Sequence, residues 1–498
     1  MPNSSSPPSK TPKTSDLHWR PDGHLPVFSG PALAEAIADV RSTHYVVRDE
    51  RDGRIGLGRG GHWSENSVSG SWPVLASLPP LYPEWLGDRG FAETHRLRFP
   101  YVAGAMANGI ASVAMVSAMA RSGCLGFFGA AGLSPARVEA SIEQLKKELG
   151  PSELPWGVNL IHSPAEPALE HKIVELFLQH DVRCVEASAY MALTPAVVRY
   201  AASGLYRDEQ GRIQRKHRVI AKVSREEVAR HFLEPAPANI LTALHQQGLL
   251  TASEIELAAH IPLAEDITVE ADSGGHTDNR PLTALLPTIA RLRDEIVAAR
   301  GYQRAIRIGA AGGLGTPAAV AAAFALGAAY VQTGSVNQAC IESGLGERGR
   351  VMLAGAGMAD VIMAPAADMF EMGVDVQVLR RGSLFAMRAR KLYEVYRAWP
   401  SLESIPDNER EKIERDILRA QFSEAWASTR EFWLTRDSAQ VERAERDGKH
   451  RMALVFRAYL GLSSRWAIDG AEDRASDFQI WCGPAMGAFN RWVTGSFL

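Results

Sequence analysis

The sequence predicts an α/β protein built on a (β/α)8 TIM barrel over residues 98–340 of a 498-residue chain. Three observations predict it. Short apolar runs alternate with helical segments eight times, the repeat count of this fold. The runs are apolar throughout, as strands covered on both faces are. Glycine and polar residues gather at the C-terminal ends of the runs, where this fold keeps its chemistry. A doubly wound open sheet is the competing architecture, and the eight units without a break argue against it.

The elements follow in order. "FPYVAGAM" reads as strand one, and the helix "ASVAMVSAMARSG" stops at Gly123. "CLGFFGAA" is strand two; its helix "SPARVEASIEQLKKELG" opens with Ser134 as N-cap and Pro135 at the first position. "WGVNLIH" and "RCVEASAY" are strands three and four, followed by "PALEHKIVELFLQHD" and "TPAVVRYAASG". "RVIAKVS" is strand five, with a longer segment over 225–248. "DITVEAD" and the helix "LTALLPTIARLRDEIVAARG" make unit six; "IRIGAAGG" with "TPAAVAAAFALG" makes unit seven; "AYVQTGS" is strand eight.

Residues 1–16, rich in Ser, Pro and Lys without an apolar core, read as a disordered tail and not a signal peptide. Residues 17–97 read as a small N-terminal α/β cap, and 341–498 as a mostly helical C-terminal extension. No unbroken run of ~20 strongly apolar residues is present, so no membrane span is expected. A net charge of -3 gives no reason to expect nucleic acid or an anionic membrane as partner. Cys124, Cys184, Cys340 and Cys482 lack metal-ligand spacing and are too few for a disulfide framework, so they are expected as buried thiols in a reducing cytoplasm.

Two loops invite a phosphate. "GGLGTP" puts Gly312, Gly313 and Gly315 before a helix opened by Thr316 and Pro317, and "TGS" (Thr333, Gly334, Ser335) follows strand eight. Free N–H groups at a helix start favour an anion, and a phosphate site after strands seven and eight recurs in this fold. A Rossmann fingerprint is disfavoured: there is no clean GxGxxG, and no acid lies about 20 residues on. A Walker A loop is excluded because no Lys-Ser/Thr follows the glycines.

Lys222 lies inside the apolar run "IAKVS" and needs a partner or a function, since a lone buried charge is costly. Asn159 in "GVNLIH" can bond a ring edge or cap the next turn. His276 in "EADSGGHTDN" is a turn residue or an acid–base group at the end of strand six. Metal ligation is disfavoured because no second histidine stands at ligand spacing. Glu270 and Asp272 nearby can orient neighbouring groups.

Taken together, "AGAMANGIAS", "WGVNLIHSP", "VEASAYMALTP", "IAKVSR", "EADSGGHTDNRP", "GAAGGLGTP" and "QTGSVNQA" resemble the PfaD family, trans-acting FMN-dependent enoyl reductases of polyketide and polyunsaturated fatty acid synthases. That family belongs with the nitronate monooxygenase (2-nitropropane dioxygenase) superfamily. "LASLPPLYPEWLGDRGF", "MAPAADMFEMGVDVQVLRRGSLFAMRARKLYEVY" and "DFQIWCGPAMGAFN" resemble the PfaD branch in particular, so the likeness covers about residues 25–498.

The resemblance implies FMN, with NADPH as hydride donor and an enoyl thioester on an acyl carrier protein as substrate. It implies the phosphate on Gly312, Gly313, Gly315, Gly334 and Ser335. It implies the ring against Ala105, Met106 and Asn108, with Asn159 and Lys222 at its pyrimidine side and His276 over it. Gly274 and Gly275 would let the backbone bend toward the ring. Lys222 would stabilise the reduced flavin, and His276 would give a proton or a hydrogen bond. Carrier docking is expected on a basic surface, with Arg380, Arg381, Arg388 and Arg390 as candidates. The helical extension suggests a homodimer. A nitronate monooxygenase using O2, and a non-catalytic synthase scaffold, are the alternatives.

Overall fold

The structure, a computed structural model, describes residues 17–163 and 166–495; the tail expected over 1–16 lies outside them. Among the described residues no helix is long and apolar enough to cross a membrane. The chain divides after Leu86 into two compact units.

The first unit is a five-stranded antiparallel sheet with one α-helix, Gly30–Ala38, and a 3-10 turn, Pro83–Trp85. Its small core is Trp19, Val47 and Val74. Gly58 and Gly61 sit against the Trp19 ring, where a Cβ on either would approach it within 3.0 Å.

The second unit contains a closed barrel of eight parallel strands. The strands are Tyr101–Ala103, Leu125–Phe128, Gly157–Ile161, Cys184–Ser188, Arg218–Val223, Asp266–Glu270, Arg307–Ala311 and Val331–Thr333. Each lies inside its predicted run, and the fully buried faces explain the lack of alternation. Ser134 caps its helix by accepting from Arg137 N, and Thr316 caps Pro317–Ala325 by accepting from Ala319 N. Cys124, Cys184 and Cys482 are buried free thiols, whereas Cys340 is only half-buried.

The cap expected over 17–97 runs too far. Helix Arg89–His95 belongs to the barrel unit and closes its N-terminal end. Phe91 stacks on Tyr330 with centroids 4.0 Å apart. Arg307 donates to Gly90 O and Thr94 Oγ1, and also to both carboxylate oxygens of Asp266 at 2.6 and 2.9 Å. His95 Nε2 meets the same Asp266 carboxylate at 2.9 Å. Asp266 and Arg307 begin strands six and seven, so this buried network ties the helix to the barrel floor.

The C-terminal extension is helical around a core of its own, with Phe370, Phe385, Leu392, Met452 and Phe456 buried. It also holds a hairpin, Val361–Pro365 with Asp375–Leu379, which the sequence pattern does not reveal. The second hairpin strand pairs antiparallel with Gly275–His276, placing Gly275 opposite Gln377 and His276 opposite Val376. The extension is thereby built into the loop after strand six.

Candidate active site

A cavity of about 1650 Å3 opens at the C-terminal ends of the barrel strands. Ala105, Met106, Asn108, Asn159, Lys222, Gly274, Gly275, His276, Gly312, Gly313, Thr333, Gly334 and Ser335 all line it. Of the predicted site residues only Gly315 lies off its wall.

The loops after strands seven and eight divide by what their glycines meet. A Cβ on Gly313, at φ +73°, or on Gly334 would meet nothing within 4 Å, so both leave open space above the backbone. Gly312, at φ +87°, is crowded by the backbone of Ala271 at 2.6 Å. Gly315 is crowded by Ala485 O at 2.1 Å. Gly312 and Gly315 thus pack closely against other backbone on the side a Cβ would take, while Gly313 and Gly334 are open on that side. Ser335 Oγ accepts from Gly483 N at 3.0 Å. The Thr333 hydroxyl oxygen accepts from Asn337 Nδ2 at 2.9 Å and meets the Tyr101 hydroxyl at 2.5 Å.

Below this edge lies a chain of charged and polar groups. Lys222 Nζ is 3.1 Å from Glu270 Oε1. Burial alone would depress the lysine, but the Glu270 and Glu186 carboxylates hold it above its ordinary value. Glu186, fully buried on strand four, is raised by desolvation and opposed by Lys222. Its oxygens accept from Ala105 N at 3.1 Å and Gln332 Nε2 at 2.6 Å, joining strand four to the ends of strands one and eight. Asn159 Nδ2 donates to Glu186 O and Ser188 Oγ, and among the described residues its carbonyl oxygen has no hydrogen-bond partner. Asn108 adopts a left-handed φ of 59°, and its amide reaches Ser464 of the extension at 3.4 Å.

On the loop after strand six, Gly275 has φ +84°, a region that favours glycine. Gly274 faces Cys482, whose backbone N would lie 2.7 Å from an added Cβ. His276 Nε2 lies 3.3 Å from Asp368 Oδ1. Burial would lower the imidazole, yet the hydrogen bond and charge of Asp368 raise it. Asp368 is held low in return, against its own burial.

The residues present fit a flavin mononucleotide. Two open glycine loops beside the N-terminus of helix Pro317–Ala325 suit a phosphate. A paired lysine on strand five and an amide carbonyl on strand three, either side of strand four, suit a polar ring edge. Of the basic residues offered for docking, Arg388 and Arg390 pair with Asp477 and Asp375, while Arg380 and Arg381 lie near Asp360 with more than half of each side chain exposed. Sequence reasoning missed Glu186, Gln332 and Asp368. Glu186 carried a readable signal, a carboxylate inside an apolar strand. Asp368 carried none, because it comes from the extension.

A family model described as nitronate monooxygenase matches residues 91–396. A second, the inserted helical domain of [acyl-carrier-protein] S-malonyltransferase, matches residues 399–478. A polyunsaturated fatty acid synthase polypeptide of Thraustochytrium sp. is 48% identical over 95% of this chain and 32% of its own length. Polyketide biosynthesis protein PksE of Bacillus subtilis is 43% identical over 83% of this chain and 54% of its own. The chain thus spans between a third and about half of these two relatives. The crystal structure of the enoyl reductase domain of MlnA, from the macrolactin cluster of Bacillus amyloliquefaciens, superposes with a TM-score of 0.79 at 40% identity. That match covers 83% of this chain and 92% of that one.

Proposed function

The chain belongs to the nitronate monooxygenase family and, within it, to the PfaD branch, and from that premise we propose that it is a trans-acting enoyl reductase of polyketide or polyunsaturated fatty acid synthesis. It saturates the α,β-double bond of an enoyl thioester carried on an acyl carrier protein, with NADPH as hydride donor. FMN, when bound, supplies the hydride chemistry. Gly313, Gly334 and Ser335 would hold its phosphate. Lys222 would lie at its ring edge, where its positive charge would offset negative charge. His276, kept protonated to higher pH by Asp368, delivers the proton to the α-carbon.

The observation that carries the reading is the meeting of three features in one cavity: the open glycine loops, the paired Lys222 and the paired His276. The test is anaerobic incubation with NADPH and an enoyl carrier-protein thioester, with the saturated product expected. Oxidation of NADPH without acyl reduction overturns the reading. His276→Ala is expected to slow the acyl half-reaction about 10²-fold and flavin reduction far less. The name of the matching family favours a second reading, oxidation of a nitronate by O2; turnover of a nitroalkane in air, with no enoyl reduction, would select it.

A further inference from the structure

The cavity does not end at the barrel. Its volume of about 1650 Å3 exceeds the ~300–1,000 Å3 of a pocket shaped for one small ligand. The excess runs along two helices of the extension. Helix Phe422–Arg436 contributes Ala425, Thr429 and Trp433, spaced by four residues along one face. Helix Gly448–Asp469 contributes Leu454 and Ala458 from the other side. Leu418, the last residue of the π-helix Ile413–Leu418, adds a further wall.

Four polar side chains along this lobe are already engaged within the protein, and Ser428 is the small polar group beside them. Thr429 Oγ1 donates to Ala425 O at 2.7 Å, and Tyr459 OH to Asp477 Oδ1 at 2.8 Å. Arg457 donates to Ala367 O at 2.8 Å and Glu371 Oε1 at 3.1 Å. Arg474 donates to Ile417 O at 3.0 Å and Leu418 O at 2.6 Å. Methyl and ring surface from Leu418, Ala425, Trp433 and Ala458 remains for a ligand. A surface of that kind recognises hydrocarbon, since a polar substituent would lose water without gaining a partner.

We propose that this lobe binds the apolar acyl chain of the substrate beyond its reacting double bond, an assignment that rests on the enoyl reductase reading. The thioester stays beside His276 while the chain lies between the two helices. Affinity then rises with chain length, by roughly fourfold for each methylene that enters the lobe.

The test needs no turnover, so its outcome is separate from that of the reductase assay. Saturated acyl-pantetheine thioesters of four to twelve carbons are titrated into the FMN-loaded protein, and binding is followed by calorimetry. A steady gain in affinity with length is expected. Ala458→Trp and Ala425→Trp, which fill the lobe from opposite helices, are each expected to flatten that gain. Flavin content and thermal midpoint report that each variant is folded. Affinity independent of length in the unaltered protein overturns the proposal, as does a gain kept in both tryptophan variants. A gain that both variants abolish, in a protein that fails to reduce enoyl thioesters, keeps the chain-binding lobe and removes only the reductase reading.

Discussion

At the scale of single residues, Asp368 decides how long His276 stays protonated. A histidine whose folded value is raised keeps its proton to higher pH and loses it as pH climbs through that raised value. Asp368→Asn removes the charge that opposes burial. The His276 titration is therefore expected to move to lower pH, read from its imidazole resonances and from the alkaline limb of the acyl half-reaction. His276 and Lys222 are legible in the sequence because each interrupts a pattern, one after a glycine pair and one inside an apolar strand. Their partners are less so. Glu270 stands nearby with no chemistry that the sequence assigns, and Glu186 signals itself only as a carboxylate inside an apolar strand, with nothing to say that Lys222 faces it. Asp368 is hidden because antiparallel pairing of 375–379 with 275–276 brings it in from the extension.

At the scale of elements, the eight strands are readable because fully buried parallel strands leave continuous apolar runs. The helix starts are readable from Ser134 and Thr316, each followed by proline. The boundary at residue 97 fails because helix Arg89–His95 is joined to the barrel by contacts of long range, which local patterns do not encode. Those contacts make a testable group. Burial would raise Asp266, but His95 and Arg307 hold it at about 2, below its ordinary 3.8. Its contribution to stability is thus complete above about pH 4 and lost as pH falls toward 2, on the order of 2 kcal/mol. Asp266→Asn is expected to cost ~3–5 kcal/mol at neutral pH, since it leaves Arg307 buried without its charge partner. Urea denaturation across this pH range checks both, and the variant should lose most of the acid dependence assigned to this carboxyl.

At the scale of the whole second unit, the barrel and its extension share one site. The segment around Trp481–Ala485 crosses the loops that would hold the phosphate: Cys482 against Gly274, Gly483 on Ser335, Ala485 against Gly315. Gly315→Ala would set a methyl 2.1 Å from Ala485 O, where backbone has to yield. The expected cost is about 1–3 kcal/mol, with faster flavin release in a dilution assay. The same seam has a consequence in time. Gly483 and Ser335 stand 148 residues apart in the chain. At ~5–20 residues per second a ribosome takes roughly seven to thirty seconds to add that stretch. Throughout that interval the barrel can close its ring of strands while the loop after strand eight lacks this brace. Bracing of that loop then waits on synthesis of the 481–485 segment and not on closure of the barrel.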